Sequence, residues 1–153
     1  MSEPFATGGC QCGAVRYALK ARPFSADFCH CRMCQRAVGN VFGAFADLKA
    51  DEVEWTRGRP AIYESSSVAE RGFCRDCGTP LTFAYKDKPY LSVTLGSLDD
   101  PELVPITGHW GVQSKVSWLK LCDGLPERAT GETEIGAKLV EGMVSHQSPE
   151  SEA

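Results

Sequence analysis

The chain has 153 residues, of which 16 are Lys or Arg and 20 are Asp or Glu, so its formal net charge is −4. This length fits one domain with a hydrophobic core, and a hydrophobic content of 42% excludes disorder of the whole chain. The mild acidity argues against a nucleic-acid or anionic-membrane partner, and no apolar run is long enough to span a membrane. The N-terminus has no apolar run typical of a secretion signal, so we expect a cytoplasmic protein.

Short segments rich in β-branched or aromatic residues recur along the chain and predict strands. In chain order they are residues 14–20, 41–48, 61–65, 80–86 and 90–98, with Gly, Pro or Asp at their ends. Only residues 32–38 and the segment around 99–104 favour a helical turn. Short strands with few helices are typical of an antiparallel all-β domain, either a sandwich or an open barrel.

The end of the chain differs in composition from the rest. Residues 131–144 would form either one weak amphipathic helix or an edge strand, and residues 146–153 are polar with almost no bulky apolar side chain. We therefore predict a single β domain over residues 1–145 and a mobile polar tail over residues 146–153.

The eight cysteines are grouped in a way that indicates metal binding. The groups are Cys10-x-Cys12, Cys29-x-Cys31-x-x-Cys34, Cys74-x-x-Cys77 and the single Cys122. In a reducing compartment such spacings indicate metal ligation more often than disulfides. Zn²⁺ prefers four tetrahedral ligands, and two ligands from one tight turn must be matched by two from elsewhere in the fold.

The residues that follow each group suggest how the cysteines are matched. Cys12 and Cys77 are each followed by glycine, which lets the turn take a positive φ, whereas Cys34 continues into a helix-like sequence. This difference predicts one closed structural zinc site and one three-thiolate set with an open position, as a catalytic zinc requires. The closed site would consist of Cys10, Cys12, Cys74 and Cys77, and the open set of Cys29, Cys31 and Cys34.

The three-cysteine set has a competing interpretation as a second structural zinc site. Its fourth ligand would then be His30, His109 or Cys122, although His30 lies between two cysteines and is expected to point away from their metal. Arg32 and Arg36 flank the set and would lower the thiol pKa values and hold an anionic substrate. They could equally be exposed arginines on a short helix.

Four segments, taken together, resemble a known family. They are GGCQCGAVRY (8–17), CHCRMCQRAVG (29–39), ERGFCRDCGTPL (70–81) and VTLGSLDDPE (93–102). In this order they resemble the glutathione-dependent formaldehyde-activating enzyme family, which also includes the centromere protein V-like proteins. The resemblance implies a β-rich, Mss4-like fold with two zinc ions per chain, one structural and one catalytic, held by the two cysteine sets above.

The resemblance also implies an activity, the formation or cleavage of S-hydroxymethylglutathione, which is carbon–sulfur lyase chemistry. The partner would be a small-molecule thiol or its aldehyde adduct, with glutathione as the thiol. By elimination, His109 is the candidate for proton transfer at the adduct hydroxyl, although a half-buried structural histidine beside Trp110 is the alternative.

Three classes of function compete on the residues alone. We predict a zinc enzyme acting on a thiol–aldehyde adduct, against a non-catalytic zinc-binding module for a protein or small-molecule partner. The third class, a thiol–disulfide oxidoreductase using Cys74 and Cys77, is disfavoured because Gly78 and the other paired cysteines indicate a zinc knuckle. Exposed β edges would also allow a homodimer.

Overall fold

Strands make up most of the regular structure in the computed structural model, which describes residues 3–145. In chain order they are β1 (Ala6–Gly9), β2 (Arg16–Leu19), β3 (Ser25–Cys29), β4 (Gly43–Lys49), β5 (Val53–Arg57), β6 (Ala61–Tyr63), β7 (Ala69–Phe73), β8 (Pro80–Tyr85), β9 (Tyr90–Thr94), β10 (Gly108–Trp110) and β11 (Glu127–Arg128). The described residues contain two α-helices, α1 (Arg32–Val38) and α2 (Glu134–Val140), and four short 3-10 turns. The predicted mainly β class with few short helices is confirmed.

The strands form two sheets. One has three strands in the order β1-β2-β5, and the other has eight in the order β11-β10-β3-β4-β9-β8-β7-β6. The pairings are antiparallel, as predicted, except that β10 runs parallel to both β3 and β11. Parallel neighbours require a long crossover connection, and here about half of the chain lies between β3 and β10.

All five segments predicted as strands contain one, namely β2, β4, β6, β8 and β9. The helix predicted at 32–38 matches α1, and the segment around 99–104 contains a single 3-10 turn, Pro101–Leu103. Six strands escaped prediction, namely β1, β3, β5, β7, β10 and β11. Among them, β1 and β7 have the sequences ATGG and AERGF, which lack the β-branched, alternating pattern of a typical strand. Residues 131–144, for which the sequence left two options, contain helix α2.

One hydrophobic cluster joins the two sheets. Tyr17 and Leu19 contribute from the small sheet, and Leu48, Leu81 and Val93 contribute from the large one, all with at most 1% of their surface exposed. Successive side chains of a strand point to opposite faces of the sheet. The residues that alternate with these core residues therefore point to the other face of the large sheet, away from the core. That second face carries the candidate site.

No helix among residues 3–145 is long and apolar enough to cross a membrane. The tail predicted at 146–153 lies outside the described residues, so the proposed domain boundary stays a prediction.

Candidate metal centres and the adjoining cavity

Four cysteines from two distant turns come together beside the core. Their sulfur atoms all lie within 4.8 Å of one another, and the residues are Cys10, Cys12, Cys74 and Cys77. Cys12 Sγ lies 3.5 Å from Cys10 Sγ and 3.8 Å from Cys74 Sγ. Four thiolates at about 2.3 Å from a tetrahedral zinc ion would be about 3.8 Å apart, so the donor set fits a closed zinc site.

Local backbone geometry shapes this four-cysteine site. Gly13 and Gly78 have φ values of 79° and 77°, the left-handed conformation predicted for the residue after each second cysteine. The backbone N–H of Val15 donates to Cys10 Sγ at 3.2 Å. A hydrogen bond with the Thr79 hydroxyl lowers the pKa of Cys77 to about 6, which favours the thiolate that a metal requires.

The second cluster lies where β3 runs into α1, and its sulfur atoms are also within 4.8 Å of one another. Cys29 is the last residue of β3, Cys31 is the N-cap of α1, and Cys34 lies in the first turn. Cys31 Sγ accepts a hydrogen bond from the Cys34 backbone N–H at 3.3 Å. No other Cys, His, Asp or Glu of the described residues joins this three-cysteine site, so its donor set fits a metal with one further position.

Hydrogen bonds within the three-cysteine site favour the thiolate form of Cys34. Hydrogen bonds from Cys29 and Cys31, together with the nearby Arg71 guanidinium, hold the pKa of Cys34 well below its usual range. The same hydrogen bonding raises the pKa of Cys29. Arg71 Nη2 donates to Cys34 Sγ at 3.4 Å.

A cavity of about 1070 Å³ opens beside the three cysteines. Its floor is the second face of the large sheet, where Asp27 and Asp47 accept hydrogen bonds from Ser25 and Ser92. Aromatic side chains cover much of the rest, among them Phe45, Phe83, Tyr85, Tyr90 and Trp110. Burial raises the pKa of Tyr85 to about 12, so its hydroxyl stays protonated beside the cysteines. The cavity can hold a molecule much larger than a small aldehyde.

The opposite wall of the cavity comes from the C-terminal strap, the name we give to residues 127–145. Leu139, Val140 and Met143 of the strap border the cavity. The strap is anchored at its end, where Ser67 N–H donates to the Val144 carbonyl at 2.8 Å and Val144 N–H donates to Ser67 Oγ at 2.9 Å. This wall could not be anticipated from the sequence, which left the segment undecided between helix and strand.

The three candidate fourth ligands lie outside the three-cysteine site. His30 is fully buried and its Nε2 lies 2.8 Å from His109 Nδ1, while His109 Nε2 lies 2.9 Å from Asp123 Oδ2. Burial lowers the pKa of His30. The His109 side chain has no exposed surface and its ring contacts Phe28, although the residue borders the cavity. Cys122 is exposed and belongs to neither cysteine group.

The two flanking arginines, Arg32 and Arg36, border two different cavities. Arg32 borders the main cavity, and its Nη1 donates to Gln35 Oε1 at 2.5 Å. Arg36 borders an adjoining cavity of about 320 Å³ that does not include the cysteines. The arginine that contacts the cluster is Arg71, on β7, which the sequence analysis did not single out. The only available signal was its position in ERGFC, three residues before Cys74.

Fold and site together define a small two-sheet β protein with one four-cysteine and one three-cysteine group able to hold metal ions. The sequence profile of the glutathione-dependent formaldehyde-activating enzyme family matches residues 5–113, and the chain belongs to this family. The match ends before the strap, so the wall formed by Leu139, Val140 and Met143 lies outside the shared region.

Two known proteins are similar to this chain. A Schizosaccharomyces pombe protein named as an uncharacterized lyase is 35% identical over 85 residues, which cover 54% of this chain and 61% of that protein. The match thus spans less than two thirds of that relative. A crystal structure of a Rhodobacter sphaeroides protein shares the fold, with a TM-score of 0.50, 20% identity, and coverage of 80% of this chain and 99% of that chain.

Proposed function

We propose that this protein is a zinc-dependent carbon–sulfur lyase-type enzyme that forms or cleaves an adduct of a thiol and an aldehyde, such as S-hydroxymethylglutathione. The observation that carries the proposal is a three-cysteine group, with no fourth protein ligand among the described residues, in the wall of a large cavity. Family membership and the lyase name of the yeast relative support the same chemistry.

The proposed reaction balances without an oxidant. In the forming direction the thiol sulfur bonds to the carbonyl carbon, the S–H bond breaks, and a proton ends on the former carbonyl oxygen. Cleavage is the reverse. A zinc ion held by Cys29, Cys31 and Cys34 would supply a Lewis-acid position that favours a soft sulfur ligand in its thiolate form.

Residues of the cavity would bind and orient the rest of the adduct. The protonated Tyr85 hydroxyl can donate a hydrogen bond to the adduct oxygen, and Arg32 can pair with an anionic group of the thiol. Arg36 borders the smaller adjoining cavity, so its predicted contact with the substrate would require the ligand to extend there. The proton-transfer role predicted for His109 would require that its buried side chain act through the Asp123–His109–His30 hydrogen bonds.

The four-cysteine site is proposed to hold a second, structural zinc ion. Its closed donor set leaves no position for a substrate, and Cys10 and Cys74 belong to the hydrophobic core cluster. Zinc at this site would stabilise the turns after β1 and β7.

The function is tested by turnover. Zinc-loaded protein is mixed with glutathione and formaldehyde, and formation of S-hydroxymethylglutathione is followed by NMR against the uncatalysed rate. Cys34→Ser should abolish the enhancement, whereas Cys122→Ser, which removes a thiol outside both groups, should retain it. Thiol binding without enhancement for any aldehyde would support the non-catalytic binding module instead.

A further inference from the structure

Arg71 is a buried cation with an unusual set of neighbours. Only 9% of its surface is exposed, and its guanidinium carbon lies 4.8 Å from the centre of the Phe83 ring. Its single hydrogen bond within the described residues runs from Nη2 to Cys34 Sγ, and Nε has no partner there. No carboxylate of residues 3–145 forms an ion pair with it.

A buried charge needs a compensating charge, because removal from water is costly. For Arg71 the anionic group in contact is the three-cysteine site. Zinc with three thiolates has a formal charge of −1, which the guanidinium brings to zero. Adding a fourth, thiolate ligand would leave −1 with the guanidinium present and −2 without it. A neutral ligand changes neither total.

We propose that Arg71 is a positioning residue that makes the three-cysteine site selective for an anionic sulfur ligand over neutral ligands. The inference rests on the proposed function and adds to it a reason why this site would bind a thiolate rather than water or an imidazole. Arginine suits the role because it stays charged when buried and stacks on an aromatic face, as Arg71 does on Phe83.

Arg71 reaches the cluster from the sheet and not from the helix that carries Cys34. It approaches from β7, across the cavity floor from β3, and contacts the sulfur of Cys34. Arg32, the other arginine at the cluster, donates to Gln35 on its own helix. Arg71 therefore supplies a positive charge to the cluster from the cavity floor.

The test compares charged and neutral ligands on cobalt-loaded protein. Visible absorption titrations give the dissociation constants of 2-mercaptoethanol and of imidazole for the parent protein, Arg71→Met and Arg71→Lys. Arg71→Met should weaken thiol binding at least about tenfold, as expected for loss of one unit charge close to the ligand. Imidazole binding should change less than about twofold by the same charge argument.

Two variants keep the result interpretable. Arg71→Lys retains the charge and should recover most of the thiol affinity, whereas a purely packing role would not be rescued this way. Arg59→Met removes an exposed arginine and gives the same change in net charge, so it should leave both constants unchanged. Cobalt band intensity and the melting curve report whether each variant is folded and loaded.

The outcomes separate the inference from the function on which it rests. If Arg71→Met binds thiol as tightly as the parent, or loses thiol and imidazole affinity equally, the inference is wrong while the open site stands. If the parent protein binds no thiol, the proposed function fails and this inference fails with it.

Discussion

Gly136 of the C-terminal helix packs against the indole of Trp110, so closely that a Cβ at residue 136 would lie 3.0 Å from the ring. Trp110 is the neighbour of Cys29 in the pairing of β10 with β3. This contact joins the strap to β10, the neighbour of the strand β3 that leads into the three-cysteine site. A side chain at this position would require the indole or the helix to shift.

Replacing this glycine should release the strap. Gly136→Leu should push α2 away from Trp110 and destabilise the docked segment by about 1–3 kcal/mol, as overpacking does. Backbone amides of residues 134–144 should then exchange roughly ten- to a hundredfold faster, while the exchange rates of the strand amides should stay unchanged. Ala137→Leu adds a similar side chain at an exposed neighbour and should leave exchange unchanged. Equal protection in both variants would contradict the packing role of Gly136.

The two cysteine sites should respond differently to mutation. Cys74 is buried in the core, so Cys74→Ser should abolish cooperative unfolding and solubility, because structural zinc binding and folding share free energy. Cys31→Ser should leave a folded protein that has lost one of two zinc ions.

Elemental analysis and thermal melting with and without a chelator provide the measurement, and Cys122→Ser is the matched control. If Cys31→Ser and Cys74→Ser destroy the fold equally, the three-cysteine site is structural. At most one zinc per chain after supplementation would contradict the two-site account.

A half-buried carboxylate on the cavity floor, that of Asp47, should make stability depend on pH. Burial, followed by the Asp27 charge, raises the pKa of Asp47, so the folded state holds this proton more firmly than the unfolded state. The carboxylate therefore costs stability above the raised pKa. The cost is lost progressively as the pH falls from the raised pKa through the ordinary value of 3.8, below which both states are protonated.

Asp47→Asn should accordingly stabilise the protein at pH 7 by about 1 kcal/mol, a rise of roughly 2–4 °C in melting temperature for a chain of this size. The amide oxygen can still accept the hydrogen bond from Ser92. The difference between variant and parent should shrink between pH 7 and pH 4. Asp51→Asn, on the surface, should show no such trend, and a constant difference for Asp47→Asn would contradict the burial argument.

The cysteines could be matched from the sequence because the signal used is local, although the match itself joins distant turns. Glycine after Cys12 and Cys77 requires only the turn itself, and the structure gives both glycines the expected positive φ. The helix after Cys31 also has local causes, since Cys31 caps its first turn and Gly39 ends it with φ 64°. Turns and helix caps of this kind depend on residues that are close together in the sequence, so they can be predicted from it.

The partners of the three-cysteine site depend on register across the sheet and could not be predicted in the same way. Arg32 and Arg36 attracted attention as sequence neighbours, whereas Arg71 reaches Cys34 from a strand 37 positions away in sequence. Its strand was itself missed, because AERGF has no strand-like pattern. His109 was selected by elimination, and sequence could not show that its side chain pairs with His30 and Asp123.

The most direct test of the account is whether the three-cysteine site binds a thiol. Protein loaded with two cobalt ions is titrated with glutathione while the sulfur-to-cobalt absorption is recorded. We expect the absorption to rise to saturation at one glutathione per chain. The rise should be lost in Cys31→Ser and kept in Cys122→Ser. A spectrum that stays unchanged in excess glutathione would show that the site is closed and would contradict the proposed enzyme.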